Sequence, residues 1–271
     1  MTLVDLLVVL VAACGWMTLG WFVADRTGKA GYGDVFWSFG VGLAGVFLAL
    51  APLEPGDPVG IRQLLVATLV ALWSLRLGAH VLTRTLRGGE DPRYAKLKRD
   101  WGRETRSRMF WFLQVHAITI ALLALTIFVA ARNPRPELDW RDWLGFAIVA
   151  AGILGESISD QQLKAFAATP GNHRRVCDVG LWSWSRHPNY FFEFMGWLAY
   201  PVIALEPAGD YPWGWAALTG PALMFWLLVF GSGIPPLERS LLESRGEAFR
   251  RYQRRVSAFV PLPPRKRDKD S

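Results

Sequence analysis

Seven stretches of this chain contain no Lys, Arg, Asp or Glu, and they restrict its fold more than any other feature. They are Leu6–Ala24, Val35–Leu53, Gln63–Leu75, Met109–Ala131, Trp143–Gly155, Phe194–Leu205 and Pro212–Leu237. A membrane-spanning helix needs about 20 mostly apolar residues. Four stretches meet that length outright. The other three meet it only when the helix extends through ionisable or amide side chains, namely Arg76 and His80, Glu156 and Asp160, and Asn189 and Glu193.

These lengths predict an all-α fold, a seven-transmembrane helix bundle. The polar side chains within and beside its spans lead us to expect that its cytosolic loops form a cofactor pocket. We expect residues 1–262 to form a single transmembrane domain and residues 263–271, which are charged and follow a Pro-rich segment, to be a disordered basic tail. The three spans that carry polar residues are the informative ones, because an ionisable residue within a span marks a functional site by default.

The charges of the connections predict the topology. Three connections are basic, namely residues 84–108 (net +5), 164–189 (+3) and 238–271 (+5). Three alternate with them and are neutral or acidic, namely residues 52–62 (net −1), 132–142 (0) and 206–213 (−2). Basic connections remain cytosolic, so the N-terminus is predicted outside and the C-terminus in the cytoplasm. The overall charge of +7 is therefore a topology signal, and we expect no nucleic-acid partner.

The densest polar chemistry lies in the segment WSWSRHPNYFFE, residues 182–193, at the start of the sixth span. Its arginine suits phosphate, because a guanidinium makes forked bonds to phosphate oxygens. Its carboxylate and amide, together with those of the preceding span, suit hydroxyls and a carboxamide. Aromatic side chains in the segment offer flat walls. The alternative is a structural ion-pair network between Glu193, Asp160 and the arginines.

Several of these residues resemble the C-terminal half of the steroid 5-alpha-reductase superfamily. The resemblance is carried by Glu156-x3-Asp160, Arg175, Gly180-Leu181-Trp182, Asn189, Glu193 and the C-terminal RRYQRRVSAFVP. The residues look more closely like a bacterial branch of uncharacterised membrane proteins with an SRHPNY-type motif, which implies a multi-pass protein in the inner membrane of a bacterium. The resemblance implies a seven-helix bundle that binds NADPH from the cytosolic side. It places Asp160, Arg175, Asn189 and Glu193 at the cofactor, and Arg93 and Tyr94 match an Arg-Pro-Tyr element in part.

The N-terminal half departs from that family. The Gln-Glu pair and the Tyr that polarise a 3-oxo group in steroid reductases are not matched, and Trp73 stands where the Tyr would be. Arg76 does match. Asp34, Arg76 and His80 are the only candidates for the catalytic acid, which needs a donor within hydrogen-bond reach and a suitable pKa.

A second family shares part of the motif. Isoprenylcysteine carboxyl methyltransferases and related enzymes use an Arg-His-Pro string to hold S-adenosylmethionine, with a Glu-Glu pair after the last span. This chain has Arg186-His187-Pro188-x-Tyr190 but a single Glu238 followed by Arg239. A non-enzymatic lipid-binding membrane protein is the third alternative.

The sequence thus favours an NADPH-dependent reductase of an activated C=C in a lipid-soluble enone, sterol- or isoprenoid-like. The expected partners are a lipophilic small-molecule substrate and membrane lipid, with no metal and no known protein partner. The predicted cofactor-binding residues are Arg93, Tyr94, Asp160, Arg174, Arg175, Arg186, His187, Asn189, Tyr190, Glu193 and Glu238. Arg174 and Arg175 favour NADPH over NADH, because a 2′-phosphate is bound by a nearby guanidinium.

The topology can be tested by labelling single cysteines from outside the cell, after the two native cysteines have been replaced. A cysteine at Asp57 or Asp210 should react with an impermeant maleimide, and one at Lys98 or Arg251 should react only after lysis, because basic connections stay cytosolic. The reverse pattern would contradict the topology and the cytosolic location of the cofactor loops.

Overall fold

The computed structural model describes residues 3–52, 57–172, 175–206 and 208–265, with side chains from residue 7 onward. Its helices are α1 (Leu3–Thr27), α2 (Tyr32–Leu50), α3 (Ile61–Arg87), α4 (Pro92–Trp101), α5 (Thr105–Ala131), α6 (Trp140–Ala168), α7 (Pro188–Trp197), α8 (Ala199–Ala204), α9 (Thr219–Val229), α10 (Ile234–Arg245) and α11 (Glu247–Arg255). Short 3-10 helices cover Gly102–Glu104, Gly180–Ser183 and Pro212–Leu218. Within the described ranges the regular elements are all helical, which confirms the all-α class.

Six helical segments are long and apolar enough to cross a membrane within the part of the chain that the structure describes. They are Leu7–Thr27, Tyr32–Leu50, Ile61–Arg87, Pro92–Ala131, Trp140–Ala168 and Pro212–Arg245. Large apolar side chains such as Val11, Leu43 and Phe47 are exposed on them, as lipid-facing residues would be. The chain is therefore a multi-pass membrane protein. As predicted, α3 runs through Arg76 and His80 without interruption.

The count of seven spans is not confirmed. The sixth expected span, near residues 189–205, is divided into α7 and α8, which meet at a turn at Leu198. Pro201 contributes to the division because it has no N–H to donate back into the preceding helix. The amphipathic segment that follows the last predicted span likewise forms two helices. Gly246, at φ +52°, separates α10 from α11, a conformation that glycine adopts without a steric penalty.

The chain divides into two compact units. The first comprises Met1–Phe146 and Leu198–Leu223, and the second comprises Ala147–Trp197 and Met224–Ser271. In the first unit, α2 packs closely on α3 and α5 because it is rich in glycine. A Cβ on Gly42 would lie 2.1 Å from Ser74 Oγ, and one on Gly33 would lie 2.6 Å from Leu113 Cδ2. Small residues allow membrane helices to approach in this way.

A buried ion pair joins the start of α3 to the start of α6 in the first unit. The Arg62 guanidinium donates to both carboxylate oxygens of Asp142, at 2.8 and 3.0 Å. Its remaining N–H groups donate to the carbonyls of Asn133, Arg135 and Glu137. The Arg62 side chain is 5% exposed and that of Asp142 is 0% exposed. The donors and acceptors satisfy one another, which is the condition for burying two charges.

We expect Asp142→Ala to lower the free energy of unfolding in detergent by about 3–5 kcal/mol, because it leaves the Arg62 charge buried without its carboxylate. Glu104→Ala is the matched control. It removes a carboxylate that also contacts an arginine, Arg108, at 2.6 Å, but both of those side chains are exposed. The control should cost about 0.5 kcal/mol or less. Equal losses in the two variants would contradict a structural role for the buried pair.

Candidate functional site

In the second unit, α6 and α7 pack closely because two glycines on α6 face α7. A Cβ on Gly155 would lie 2.3 Å from Phe192 Cδ1, and one on Gly152 would lie 3.0 Å from the Phe192 carbonyl oxygen. The absence of side chains there brings the two helix backbones together. The polar residues at the neighbouring end of α6 therefore lie beside the first turns of α7.

The polar residues predicted at this crossing lie together. The Asn189 side-chain amide on α7 donates to Asp160 Oδ1 on α6 at 3.4 Å. Glu193, one turn further along α7, is buried and accepts a hydrogen bond from Trp197 Nε1 at 3.0 Å. Glu156 is also buried. Carboxylates and an amide thus collect on two facing helices, a set able to bind hydroxyl and carboxamide groups of a ligand.

The turn at Gly180–Ser183 is fixed on α6 beside this set. Trp182 Nε1 donates to the Ser159 carbonyl at 2.9 Å, and the Leu181 amide donates to Gln162 Oε1 at 2.9 Å. Gly180 has φ +58°, and a Cβ there would lie 2.5 Å from Gln162 Oε1. Trp182 is consequently buried, and it serves as a fixed anchor of the turn.

Arg186 and His187, from the polar segment 182–193, form a cluster with Glu238 on α10 and Gln253 on α11. We call this cluster the clasp. Arg186 Nε donates to Glu238 Oε1 at 2.7 Å, and Arg186 Nη1 donates to the carbonyls of Gln253 and Val256. His187 Nε2 lies 3.0 Å from Glu238 Oε1, and Gln253 Nε2 donates to Glu238 Oε2 at 2.7 Å. The clasp joins the residues before α7 to α10 and α11.

His187 in the clasp is buried and stacks on Tyr190, with ring centroids 5.6 Å apart and planes 11° apart. Burial lowers the pKa of His187 below its ordinary value, although the hydrogen bond with Glu238 opposes the change. The imidazole is therefore neutral at neutral pH. Because Glu238 accepts from Nε2, that nitrogen carries the proton.

The residues after α11 form a strap, residues 256–262, that lies along residues 184–186. The Arg186 amide donates to the Ser257 carbonyl at 2.8 Å, and the Leu262 amide donates to the Trp184 carbonyl at 3.0 Å. Ser185 Oγ donates to the Phe259 carbonyl at 2.7 Å. Residues 263–265, the start of the predicted tail, are not helical. Residues 266–271 lie outside the described residues.

The two arginines expected at a 2′-phosphate are Arg174 and Arg175. Arg174 lies outside the described residues. Arg175 is exposed, and its Nη1 donates to Asn172 Oδ1 at 3.1 Å within the same turn. An exposed guanidinium held in this turn is accessible to an anionic ligand.

The first unit brings together a separate set of predicted residues. Asp34 on α2 accepts a hydrogen bond from the Tyr94 hydroxyl at 2.5 Å and one from Arg93 Nη2 at 3.0 Å. Arg93 also donates to Asp91, and Arg84 lies 3.4 Å from that carboxylate. Burial raises the pKa of Asp91, but the hydrogen bonds and charges of Arg93 and Arg84 outweigh it, so the pKa lies below its ordinary value.

The remaining acid candidates, Arg76 and His80, lie one turn apart on α3, and both are half-buried. Trp73, where the steroid reductases have a Tyr, is buried against Trp37, with ring centroids 6.3 Å apart. Asp34 accepts hydrogen bonds from a guanidinium and a phenol, so both of its carboxylate oxygens already act as acceptors within the protein.

Sequence reasoning missed four residues that organise the second unit. Gln253 and Tyr252 contact the loop before α7. The Gln253 carbonyl accepts from Arg186 Nη1 at 3.2 Å, and the Tyr252 hydroxyl donates to the Trp182 carbonyl at 2.5 Å. Gln162 and Ser185 anchor the turn and the strap. The string RRYQRRVSAFVP contains two of these residues, but their partners lie about 70 positions earlier in the chain and no local spacing indicates them.

The apolar helices, with polar residues gathered on α6 and α7, define a multi-pass membrane protein with a candidate ligand site in its second unit. The model of a family described as protein of unknown function (DUF1295) matches residues 20–256, and the chain belongs to that family. An uncharacterized protein of Schizosaccharomyces pombe (strain 972 / ATCC 24843) is 25% identical over 229 residues. The match covers 74% of this chain and 63% of that relative, so the chain spans less than two thirds of the relative's length. No solved structure matches the chain.

The clasp should be needed for the stability of the second unit. Glu238→Ala removes the acceptor of Arg186, His187 and Gln253, and we expect it to lower the free energy of unfolding by about 1.5–3 kcal/mol, the range for hydrogen bonds to a charged group. Glu247→Ala is the control, because that carboxylate contacts only exposed arginines among the ion pairs of α11. Limited proteolysis after Arg245 or Arg255 reports the same change. A Glu238 variant as stable and as protease-resistant as the control would refute the clasp.

Proposed function

We propose that this protein is an integral-membrane reductase that binds NADPH and transfers a hydride to an activated C=C of a lipid-soluble enone, sterol- or isoprenoid-like. The observation that carries the proposal is the meeting of Asp160 and Asn189 across α6 and α7, with Glu193 one turn further along. These are the positions that the resemblance to steroid reductases assigns to the cofactor.

The residues of the second unit suit the polar parts of a dinucleotide. Asp160 and Glu193 offer acceptors for ribose hydroxyls or a carboxamide N–H, and Asn189 offers both a donor and an acceptor. Arg175 is exposed at the turn after α6 and suits a phosphate, to which a guanidinium makes paired hydrogen bonds. When bound, NADPH would supply the hydride, and the protein supplies orientation and electrostatics.

The clasp changes the role we assign to three predicted cofactor residues. The polar atoms of Arg186 and Glu238 bond to one another and to α11, and His187 is buried against Glu238. We therefore assign Arg186, His187 and Glu238 to positioning. They fix the entry to α7, and through it the place of Asn189, without touching the cofactor.

The reduction also needs a proton at the carbon next to the carbonyl after the hydride has added to the far carbon of the C=C. Of the three acid candidates, Asp34 is held as an acceptor by Arg93 and Tyr94, and an arginine stays protonated at any physiological pH. His80 remains, and an imidazole is the side chain best suited to give a proton near neutral pH.

One observation favours the methyltransferase alternative. Glu238 contacts both Arg186 and His187, so the Arg-His-Pro string and the carboxylate after the last span do meet, as a site for S-adenosylmethionine would require. A lipid-binding protein without a cofactor is the other alternative.

The resemblance favours the inner membrane of a bacterium as the location of this protein. The basic connections include both loops of the second unit, so we place those loops in the cytoplasm and the N-terminus outside.

The cofactor can be tested by titrating the purified full-length protein with NADPH, NADH and S-adenosylmethionine in a calorimeter, and by mass spectrometry of molecules that copurify. We expect NADPH to bind. Asp160→Asn should weaken it about tenfold or more, equivalent to about 1.4 kcal/mol or more, without lowering the unfolding temperature. Asp178→Asn is the matched control. Asp178 is an exposed carboxylate on the connection that follows α6, and it pairs with Arg255 at 3.4 Å.

Three results would contradict parts of the proposal. Binding of S-adenosylmethionine in place of NADPH would select the methyltransferase. Equal affinities for NADH and NADPH would reject the phosphate role of Arg175. Full NADPH affinity in the Asp160 variant, or an equal loss in the Asp178 control, would remove the site from α6 and α7.

A further inference from the structure

A cavity of about 320 Å³ lies in the first unit where α1 ends and α5 begins. It is separate from the Asp34 cluster, which consists of Asp34, Asp91, Arg93 and Tyr94, and from the other predicted cofactor residues. Its wall includes Trp21 and Asp25 on α1, Lys98 on α4, and Arg103, Thr105 and Arg106 around the start of α5. Gly102, at φ +51°, ends α4 and lets the chain turn into α5 at the edge of the cavity. A volume of this size is within the range of ligand pockets, roughly 300–1,000 Å³.

The wall of the cavity is basic. Three cationic side chains face one carboxylate. Arg106 Nε lies 3.3 Å from Asp25 Oδ2, and Lys98 Nζ donates to the Gly28 carbonyl and contacts Glu90. Arg103 is exposed at the rim. Because Arg103 and Arg106 together exceed the charge of Asp25, the rim suits an anionic group, and a guanidinium favours phosphate in particular.

An aromatic side chain holds one of these arginines in place. Trp21 Nε1 donates to the Arg106 carbonyl at 3.1 Å, and the Arg106 guanidinium lies 5.2 Å from the centroid of the Trp21 ring. Trp21 also packs edge-on against Phe110, with centroids 5.5 Å apart. Tryptophan is enriched at the level of the lipid head groups, where its ring lies in the apolar layer and its N–H reaches polar groups.

The cavity lies at one end of two membrane-spanning segments. The first span, Leu7–Thr27, ends beside it, and α5 runs from it into the apolar part of the fourth span. Within about two turns, Phe22 on α1 is 44% exposed, and Trp111 and Val115 on α5 are 66% and 58% exposed. A molecule with its anionic group in the cavity therefore has an apolar, lipid-facing surface available for hydrocarbon chains.

We propose that this cavity binds the head group of an anionic phospholipid, with its phosphate at Arg103 and Arg106 and its acyl chains along the exposed residues of α1 and α5. The position at the end of two spans favours a membrane lipid over a soluble phosphate, because only a lipid occupies both the basic rim and the apolar surface. Basic side chains near the membrane surface are attracted to anionic head groups. The proposal does not depend on the reductase function.

The test uses the full-length protein in lipid nanodiscs and native mass spectrometry of the released protein. The lipids are dioleoyl phosphatidylglycerol and dioleoyl phosphatidylcholine, and free sn-glycerol 3-phosphate tests for a soluble phosphate ligand. We expect phosphatidylglycerol to be retained in preference to phosphatidylcholine. Changing both Arg103→Gln and Arg106→Gln should weaken that retention about tenfold or more, since two basic contacts are lost.

The matched control changes Arg250→Gln and Arg251→Gln, two arginines on α11 in the second unit that also belong to a basic connection. It should leave retention unchanged. Arg103→Gln alone, at an exposed position, should still weaken retention and guards against misfolding of the double variant. Equal retention of the two lipids, an equal loss in the control, or binding of glycerol 3-phosphate as tight as that of phosphatidylglycerol would each overturn the proposal.

Discussion

The hydrocarbon core of a membrane offers no water to backbone N–H and C=O groups, so a spanning segment must satisfy them within its own helix. Charged side chains are also costly within a span, and several clusters of them in the described part of the chain lie near helix ends. The Arg62–Asp142 pair lies at the starts of α3 and α6. The Asp34 cluster lies at the start of α2 and the connection after α3, and the clasp lies before α7. The polar residues within α3, α6 and α7, such as His80, Asp160 and Glu193, are the exceptions, and function is sought there.

Arg62 and Arg186 illustrate one solution used in both units. Each guanidinium binds a carboxylate through two nitrogens and directs its remaining N–H groups to main-chain carbonyls. A planar fork of five donors can join several chain segments at one point. Arg62 joins the connection after α5 to α3 and α6. Arg186 joins the entry of α7 to the C-terminal helices, and so fixes the segment that carries Asn189.

The motif SRHPNY therefore divides into two parts with different roles. Ser185, Arg186 and His187 hold the strap and the clasp. Asn189, after the proline that begins α7, contacts Asp160. A sequence reading treats the six residues as one binding motif because they are consecutive. The structure distinguishes them, because neighbours before and after a helix start point to different surroundings.

A contact could be predicted from the sequence only where its two residues lie close together along the chain. Apolar length alone predicted the six helical segments that are long and apolar enough to cross a membrane. Phe249, Tyr252 and Val256 recur at helical spacing and form a buried cluster. The partners of Arg62 and Glu238 could not be predicted in this way. They lie 80 and 52 residues away in sequence, and the periodicity of a single helix contains no information on contacts at that separation. The divisions at Leu198 and Gly246 also depend on local backbone geometry within segments whose apolar pattern is continuous.

The state of Glu238 bears on the choice between the two enzyme classes. A carboxylate that served S-adenosylmethionine would face its sulfonium charge, and opposite charges attract most strongly when neither is already paired. Glu238 is already paired with Arg186 and accepts from His187 and Gln253, so most of its capacity to bind a cation is used within the protein. Asp160 accepts a hydrogen bond from the Asn189 amide, and a carboxylate beside an amide offers the acceptors and the donor that hydroxyls and a carboxamide need. The pairing of Glu238 within the protein is therefore a reason to prefer the proposed dinucleotide over a sulfonium cofactor.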